Sequence, residues 1–456
     1  MKITIIGGAG LRTPIIVKAI LARQERVGIR ELVLMDIDEE RLELIGALTS
    51  PLEKSPDTKF RISRTTDPKL ALKDADFVIT TFRVGGIESR IIDERVPLSH
   101  GILGQETTGP GGFAMGLRSI PVILDYVNLM RDLCPNAWLI NFANPAGMLT
   151  EAVIRQSDWT RVVGICDGPA SMHLVIAALL GANPDDVALD YFGLNHLGWI
   201  KRIIYRSRDY LPDFLELLKS SRVIPGLPFD PELIINLGMI PNEYLYYYYY
   251  GHQALNNILK AGESRGEQIV KLNLRLFDEL KQNYDAQNFS GMQTAYQAYL
   301  NLRGSTYMVN ETGKSHDFST LEPNIVETLS DEGYAGVALN LIEALVGDRP
   351  IVQILNVPNN GSINNMDEKD VVEIPTLVKR DQIQPMVVGD IPAHCMGLIK
   401  QVKYFEQLTI EAAIEGSYQK ACLALTIHPL VRDFSIASMI LDEYITQHKS
   451  YFPDLN

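Results

Sequence analysis

The stretch that decides the fold opens the chain and reads Lys2-Ile3-Thr4-Ile5-Ile6-Gly7-Gly8-Ala9-Gly10-Leu11-Arg12-Thr13-Pro14. Residues 2–6 are mainly apolar and β-branched, which predicts a strand buried on both faces. The glycine turn is followed by an apolar helical stretch from Ile15 to Leu21, and proline is tolerated near a helix start because that amide has no intrahelical partner. Strand, turn and helix together direct free amides and a helix dipole at a pyrophosphate. The opening therefore predicts a dinucleotide-binding unit.

A second strand is predicted over residues 31–35, and it ends in Asp36. An acidic residue at that point can accept hydrogen bonds from the adenine ribose. Gly7, Gly8, Gly10 and Asp36 are therefore the predicted cofactor-binding residues. The glycines do not complete the GxGxxG spacing, and the acid lies nearer thirty than twenty residues downstream, so a doubly wound domain that binds no dinucleotide is the alternative.

Further strands are predicted over residues 77–82, after a helix over residues 71–76, and over residues 138–142 and 162–165. Arg83 follows the first of these three strands, Asn144 follows the second, and Cys166 and Asp167 follow the third. Ligands of doubly wound sheets bind at the carboxyl ends of the strands. The pattern therefore predicts an α/β fold with a Rossmann-type doubly wound sheet and its site at this edge.

Residues 104–112 pack four glycines and four polar side chains into one loop. Such a loop lets the backbone approach a ligand closely, and a plain structural turn is the alternative. Cys166 and His196, each with glycines nearby, form a possible metal pair, although each alone is more often a structural residue. Two protein ligands are too few for a structural zinc site, so substrate oxygens or waters would complete the shell.

Tyrosines fill residues 244–250 except at Leu245, and an amphipathic surface helix is the simplest interpretation of this run. A tyrosine that acts as a base would need a neighbouring metal or arginine to lower its pKa. Arg265 opens the next helical stretch, where the alternative is a solvated charge at a helix end. Farther on, a tight turn is predicted at residues 359–363 and a helical stretch over residues 398–425.

Composition limits the function classes. The chain has 456 residues, 46 % of them hydrophobic, and a formal net charge of −14. That charge argues against nucleic acid and requires local arginines for any anionic substrate. Apolar runs are too short for a membrane span, the N-terminus has no leader, and four scattered cysteines make no disulfide framework. We therefore expect a cytoplasmic protein with no membrane or nucleic-acid partner.

Over essentially its whole length the chain resembles glycoside hydrolase family four, and within it the 6-phospho-β-glucosidases. Several of the matching segments are long, and all stand in the family's order. They are Ile6-Gly7-Gly8 with Thr13-Pro14, residues 93–98 (DERVPL), residues 104–107 (GQET), Ile140 to Gly147, Gly193 to His196, Pro241 to Tyr244 and Asn359-Asn360-Gly361.

The resemblance implies a fold similar to lactate and malate dehydrogenases, with an NAD-binding domain at residues 1–165 and a metal- and substrate-binding α+β domain at residues 166–456. It implies NAD and a divalent metal, usually manganese(II), as cofactors, and a homodimer or homotetramer. Family four does not use the usual pair of carboxylates. Instead, hydride leaves carbon 3 for NAD, a tyrosinate removes the proton from carbon 2, the aglycone is eliminated, water adds and the hydride returns.

The resemblance also implies roles for individual residues. Cys166 and His196 match the metal ligands, and Tyr244 matches the base. Asp167 falls where one subgroup has its proton donor and is also a predicted substrate contact. The other predicted substrate contacts are Arg90, Asn144 and Arg265.

The chain departs from the family pattern at two places, one in the glycine turn and one that bears on the substrate. Gly10 stands where the family usually has serine. Residues 166–169 read CDGP, whereas β-acting members typically have CN(V/I)P and α-acting members CDMP. A phosphorylated disaccharide or aryl glucoside 6-phosphate is the expected substrate, with 6-phospho-β-glucoside hydrolysis the main expectation and 6-phospho-α-glucoside hydrolysis the alternative. A 2-hydroxy acid dehydrogenase and a non-catalytic NAD sensor are further alternatives.

Overall fold

The computed structural model describes residues 1–220, 224, 226–314 and 335–456. Its centre is a nine-stranded sheet whose first six strands are parallel and stand in the spatial order 3-2-1-4-5-6. This is the strand order of dinucleotide-binding doubly wound sheets. The strands are β1 (Lys2–Ile6), β2 (Glu31–Met35), β3 (Arg61–Thr65), β4 (Phe77–Thr80), β5 (Trp138–Asn141) and β6 (Val162–Gly164).

Three antiparallel strands from the far end of the chain extend this sheet beyond β6. They are β11 (Ile351–Pro358), β12 (Val371–Lys379) and β13 (Gln382–Pro385), with Asn356 of β11 opposite Gly164 of β6. A smaller sheet contains β7 (Val187–Leu194), β8 (Leu197–Tyr205), β9 (Arg208–Asp209) and β10 (Ile240–Pro241). The predicted division between residues 165 and 166 stays a prediction, and strands from both sides of it share the large sheet.

Helices cover the sheet, and the apolar side chains between the layers form one large buried core. In the first half of the chain the helices are α1 (Thr13–Val27), α2 (Glu39–Glu53), α3 (Pro68–Leu72), α4 (Gly86–Ser99), α5 (Pro110–Leu133), α6 (Ala146–Gln156), α7 (Asp167–Leu179) and α8 (Leu211–Lys219). Among the described residues only α5 is long and apolar enough to cross a membrane, and 61 % of that apolar window is buried inside the protein, as expected for a core helix.

The second half of the chain is mainly helical. Its helices are α9 (Pro231–Leu237), α10 (Tyr246–Tyr249), α11 (Gly251–Ala261), α12 (Arg265–Asp285), α13 (Phe289–Ser305), α14 (Val309–Thr312), α15 (Val337–Val346), α16 (Ala393–Glu415), α17 (Tyr418–Ile427) and α18 (Phe434–His448). Short 3-10 turns lie at Pro184–Asp186, Glu243–Leu245 and Lys449–Tyr451.

The helical stretch predicted over residues 398–425 is confirmed. It is divided into two helices, because α16 ends at Glu415 and the Ser417 side chain caps the start of α17 by accepting from the Lys420 amide. One local interpretation was wrong. The tyrosine run is not a surface helix, since it begins as a 3-10 turn and Tyr246 and Tyr247 are buried in the core. The predicted turn after β11 is confirmed, with Asn360 and Gly361 both at positive φ.

Candidate active site

The glycine turn after β1 is held by the end of β2. The amides of Gly7 and Gly8 both donate to the carbonyl oxygen of Met35, at 2.9 and 2.7 Å. Gly7 has a φ of 96°, and a Cβ there would lie 2.6 Å from the amide nitrogen of Phe82, so only glycine fits. The turn therefore brings bare backbone to the carboxyl edge of the sheet.

Asp36 tightens the same turn from β2. One of its carboxylate oxygens accepts from the amide of Ala9 at 3.0 Å, and the other accepts from the amide of Asp38 at 3.2 Å. Ile37 beside it exposes 85 % of its surface, which is unusual for a large apolar side chain. A carboxylate and an open apolar surface side by side suit a ribose and an adenine ring.

Cys166 and His196 meet although 30 residues separate them. Cys166 follows β6 at the N-cap of α7, and His196 lies at positive φ in the turn between β7 and β8. The sulfur of Cys166 lies 3.5 Å from Nε2 of His196. When a small divalent ion binds a sulfur at about 2.3 Å and a nitrogen at about 2.1 Å, the two ligand atoms lie roughly 3.1–3.6 Å from each other. The pair therefore fits a shared metal.

Without a bound metal, burial determines the protonation of the Cys166 thiol and the His196 imidazole. It raises the pKa of the Cys166 thiol, with Glu373 and Asp167 adding to the effect, and it lowers the pKa of His196 to about 4. A cation is therefore needed to stabilise a thiolate here. Within the described part of the chain no group of three or more His, Cys, Asp or Glu could hold a metal, so this pair would leave open coordination positions.

Tyr244 lies directly against His196. Its ring stacks on that of His196 with centroids 3.7 Å apart and planes 3° from parallel. The hydroxyl of Tyr307 donates to the hydroxyl of Tyr244 at 3.2 Å. In the protein alone burial raises the pKa of Tyr244, and its contact with Tyr307 raises it further, so the predicted lowering depends wholly on a bound cation. No sequence signal singled out Tyr307, which follows α13 in a turn.

Two predicted substrate contacts stand at neighbouring strand ends. Asn144 is half-buried three residues beyond the end of β5. Asp167 is the first residue of α7, and one of its carboxylate oxygens lies 3.4 Å from the guanidinium of Arg12, which follows the glycine turn. Since 38 % of the Asp167 side chain is exposed, its carboxylate can reach a ligand at this edge.

Arg90 is buried in a chain of alternating charges. Its Nε donates to Glu94 at 2.8 Å, and its Nη1 lies 2.9 Å from a carboxylate oxygen of Glu106, which Arg83 also contacts at 2.5 Å. Burial raises the pKa of Glu106, but Arg90 and Arg83 outweigh burial and bring it to about 2. Glu94 in turn accepts from the amide of Gly266 at the start of α12. Most of the charge of Arg90 is thus balanced inside the protein.

Arg265 is not a solvated charge at a helix end, because only 9 % of it is exposed. Its guanidinium donates to Gln268, to the hydroxyl and carbonyl oxygens of Thr306 and to the carbonyl oxygen of Arg303. Burial lowers its pKa to about 10, and the neighbouring cations Arg303 and Arg90 add to this. Neutral partners leave its charge available to an anion.

Arg303, which the sequence did not single out, lies near Arg90 and Arg265, and the three form an arginine group. Burial lowers its pKa, and Arg12 and Arg90 lower it further by repulsion. Its guanidinium donates to the hydroxyl of Tyr299 at 3.1 Å and forms no ion pair with a carboxylate of the described residues. Clustered cations whose charges are not fully balanced are stabilised by a bound anion.

The sequence is similar to the sequences of known proteins. Residues 2–182 match the profile described as family 4 glycosyl hydrolase, and residues 191–431 match its C-terminal domain. A probable 6-phospho-beta-glucosidase of Bacillus subtilis (strain 168) is 35 % identical over 464 residues, which span 99 % of this chain and 97 % of the relative.

Solved structures share the fold. A 6-phospho-beta glucosidase from Thermotoga maritima, with manganese, NAD+ and glucose-6-phosphate, matches with a TM-score of 0.83 at 30 % identity over 99 % of this chain and 100 % of that one. A 6-phospho-alpha-glucosidase from gut microorganisms, with NAD and Mn2+, matches at 0.82 and 28 % identity over 100 % and 99 %. A lactate dehydrogenase from a deep-sea metagenome matches at 0.51 and 15 % identity over 91 % and 98 %, which confirms the predicted dehydrogenase-like fold.

Proposed function

Because the chain belongs to the family 4 glycosyl hydrolases, we propose that it hydrolyses 6-phospho-β-glucosides, such as cellobiose 6-phosphate, with NAD and a divalent metal, manganese(II). The observation that carries this proposal is the contact of Cys166, His196 and Tyr244 at the carboxyl edge of the parallel sheet. The same edge carries the glycine turn, so a nucleotide and a metal would face one substrate. The related structures with NAD, manganese and glucose-6-phosphate support the assignment.

The cofactors and the residues divide the chemistry. When bound, NAD supplies a hydride acceptor at carbon 3 and the metal supplies a Lewis acid. The glycine turn at Gly7 and Gly8 would let the nucleotide approach the bare backbone closely, and the carboxylate of Asp36 would bind its ribose. Cys166 and His196 would hold the metal, with its open positions left to substrate oxygens.

Tyr244 is the proposed base for the proton on carbon 2. Its ring is fixed against His196, so its hydroxyl lies beside the metal site, and a cation there would favour the phenolate. The hydroxyl of Tyr307 donates to the Tyr244 oxygen and would hold that oxygen in place beside the metal site. Asp167 is the proposed proton donor to the departing aglycone, and Asn144 a substrate contact.

The arginine group would hold the 6-phosphate. In an acidic chain, a dianion needs local cations. Arg90 lies close enough to lower the pKa of both Arg265 and Arg303, and Arg303 lowers that of Arg265. Within the described ranges, Arg303 and Arg265 have only neutral hydrogen-bond partners, so they are the stronger phosphate contacts. Arg90 is restrained by Glu94 and Glu106. We further propose a homodimer or homotetramer in the cytoplasm.

A 6-phospho-α-glucosidase is the second candidate. Asp167 favours it, since α-acting members typically have aspartate after this cysteine. Paired 4-nitrophenyl α- and β-glucoside 6-phosphates test both, each with and without NAD and manganese(II). We expect the β-substrate to be cleaved only when both cofactors are present, without stoichiometric NADH. Cleavage of the α-substrate and not of the β-substrate would establish the second candidate. NADH that rises in step with product would indicate a dehydrogenase.

A further inference from the structure

The loop at residues 104–112 places one hydroxyl on the back of the histidine of the metal pair. The Oγ1 of Thr107 lies 2.9 Å from Nδ1 of His196, while Nε2 on the other side of the ring faces Cys166 at 3.5 Å. A hydroxyl can donate or accept, so this contact alone leaves the tautomer of the imidazole open.

Gln105 decides the direction of that hydrogen bond. Its Oε1 lies 2.7 Å from the amide nitrogens of both Thr107 and Thr108. Backbone amides only donate, so the Gln105 atom at this point is the oxygen and not the nitrogen of its side-chain amide. The Thr107 hydroxyl lies 3.0 Å from the same oxygen and must donate to it. Because a hydroxyl has one proton, only its lone pairs remain to face His196.

We propose that Gln105 and Thr107 are positioning residues that keep the proton of neutral His196 on Nδ1 and leave the Nε2 lone pair open toward Cys166 and a shared divalent metal. The metal part of this proposal rests on the proposed function, whereas the tautomer follows from the hydrogen bonds alone. A partner on the non-ligating nitrogen of a histidine fixes both the tautomer and the ring orientation.

The loop is built to hold these atoms still. Gln105 and Thr108 are buried, at 7 % and 4 % exposure, on either side of Thr107. Glu106 between them is fixed by Arg83. The backbone also packs on itself, since a Cβ at Gly112 would lie 2.3 Å from the carbonyl oxygen of Thr107. Thr107 therefore has little freedom to turn its hydroxyl away from Gln105.

The direct test is the tautomer of His196 in the full-length, metal-free protein. Long-range nitrogen–proton NMR on histidine-labelled protein distinguishes a protonated from an unprotonated ring nitrogen, and His196→Asn identifies its signals among the eight histidines. We expect Nδ1 protonated and Nε2 unprotonated in the wild type. A proton on Nε2 in the wild type would overturn the proposal, whatever the metal affinity.

Metal affinity gives a second, independent measurement. Thr107→Val keeps the shape but removes the acceptor, so manganese(II) affinity, measured by the signal of the free ion in electron paramagnetic resonance, should fall about 10- to 100-fold. Thr107→Ser should restore most of it. Thr4→Val, which removes a buried hydroxyl that donates to Ala71, is the matched control and should bind like the wild type.

The two proposals fail in different ways. If the wild type binds no manganese(II) while His196 has the expected tautomer, the proposed function fails and the role of the loop stands. If Thr107→Val is folded and keeps both the tautomer and the manganese(II) affinity of the wild type, the role of Gln105 and Thr107 is wrong while the metal site stands. If Thr107→Val does not fold, the NMR spectrum of the wild type still tests the proposed tautomer of His196.

Discussion

The nucleotide end and the metal end of the site are built by different means. The nucleotide end is backbone, made by one turn after β1 and one strand end, and held by amide hydrogen bonds to Met35 and Asp36. The metal end is made of side chains, with Thr107, Cys166, His196, Tyr244 and Tyr307 each on a different segment. Changes at the first should therefore affect folding and nucleotide binding together, whereas changes at the second should affect chemistry and leave the fold intact.

The largest effect is expected at Tyr244. Tyr244→Phe removes only the hydroxyl and keeps the ring on His196, so turnover should fall by about two to four orders of magnitude, the usual worth of a positioned base. Thermal stability and NAD affinity should hardly change. Tyr246→Phe, which removes the same atom from a buried ring of the same run, is the control. An equal loss in both variants would mean that the run acts through packing.

A smaller effect is expected from the metal ligands. Cys166→Ser and His196→Ala should each raise the dissociation constant for manganese(II), because the thiolate charge or the imidazole lone pair is lost. Titration calorimetry with the folded variants measures this, and NAD affinity in the absence of metal should stay at the wild-type value. Full activity of both variants after chelation and metal-free dialysis would contradict the assignment of the pair.

Arg303 and Arg265 should both affect phosphate binding but should differ in their effect on thermal stability. A charge-assisted contact is worth roughly 1.5–3 kcal/mol, so Arg303→Met and Arg265→Ala should each raise KM for the phosphorylated substrate about 10- to 150-fold. Only Arg265→Ala should also lower the melting temperature, because it removes the guanidinium that donates to the carbonyl oxygens of Arg303 and Thr306. Arg275→Met, at an exposed ion pair of the same helix, is the control. An unchanged KM would move phosphate binding elsewhere.

The smallest effects are expected in the glycine turn, where the loss of stability should differ sharply between substitutions at Gly7 and at Gly10. Gly7→Ala puts a Cβ 2.6 Å from a backbone nitrogen at positive φ, so the free energy of unfolding should fall by about 1–3 kcal/mol and NAD affinity with it. A Cβ at Gly10 would lie 3.1 Å from the carbonyl oxygen of Gly7 and 3.7 Å from the hydroxyl oxygen of Thr13, so Gly10→Ser should cost much less. Denaturant unfolding of both variants measures this, and equal losses would contradict the account.

The two ends also differ in what the sequence could predict. The turn and Asp36 lie in one βαβ unit, where the local apolar pattern and the glycines determine the backbone, and the doubly wound class of the sheet followed from the same pattern. The residues made the pairing of Cys166 with His196 only one possibility, and the resemblance selected it, because no local pattern joins segments 30 residues apart. Tyr307, Arg303 and the role of Thr107 could not be predicted, since each depends on which helix ends and loops the fold brings together.

The central claim, that the hydroxyl of Tyr244 beside the metal pair removes the proton from carbon 2, has one direct measurement. The protein is incubated with substrate, NAD and manganese(II) in deuterated solvent, and deuterium at carbon 2 of the sugar is followed by NMR. We predict exchange in the wild type and in Tyr246→Phe, and a loss of exchange in Tyr244→Phe as large as its loss of turnover. Exchange at the normal rate in Tyr244→Phe would contradict the account and assign the base to another residue.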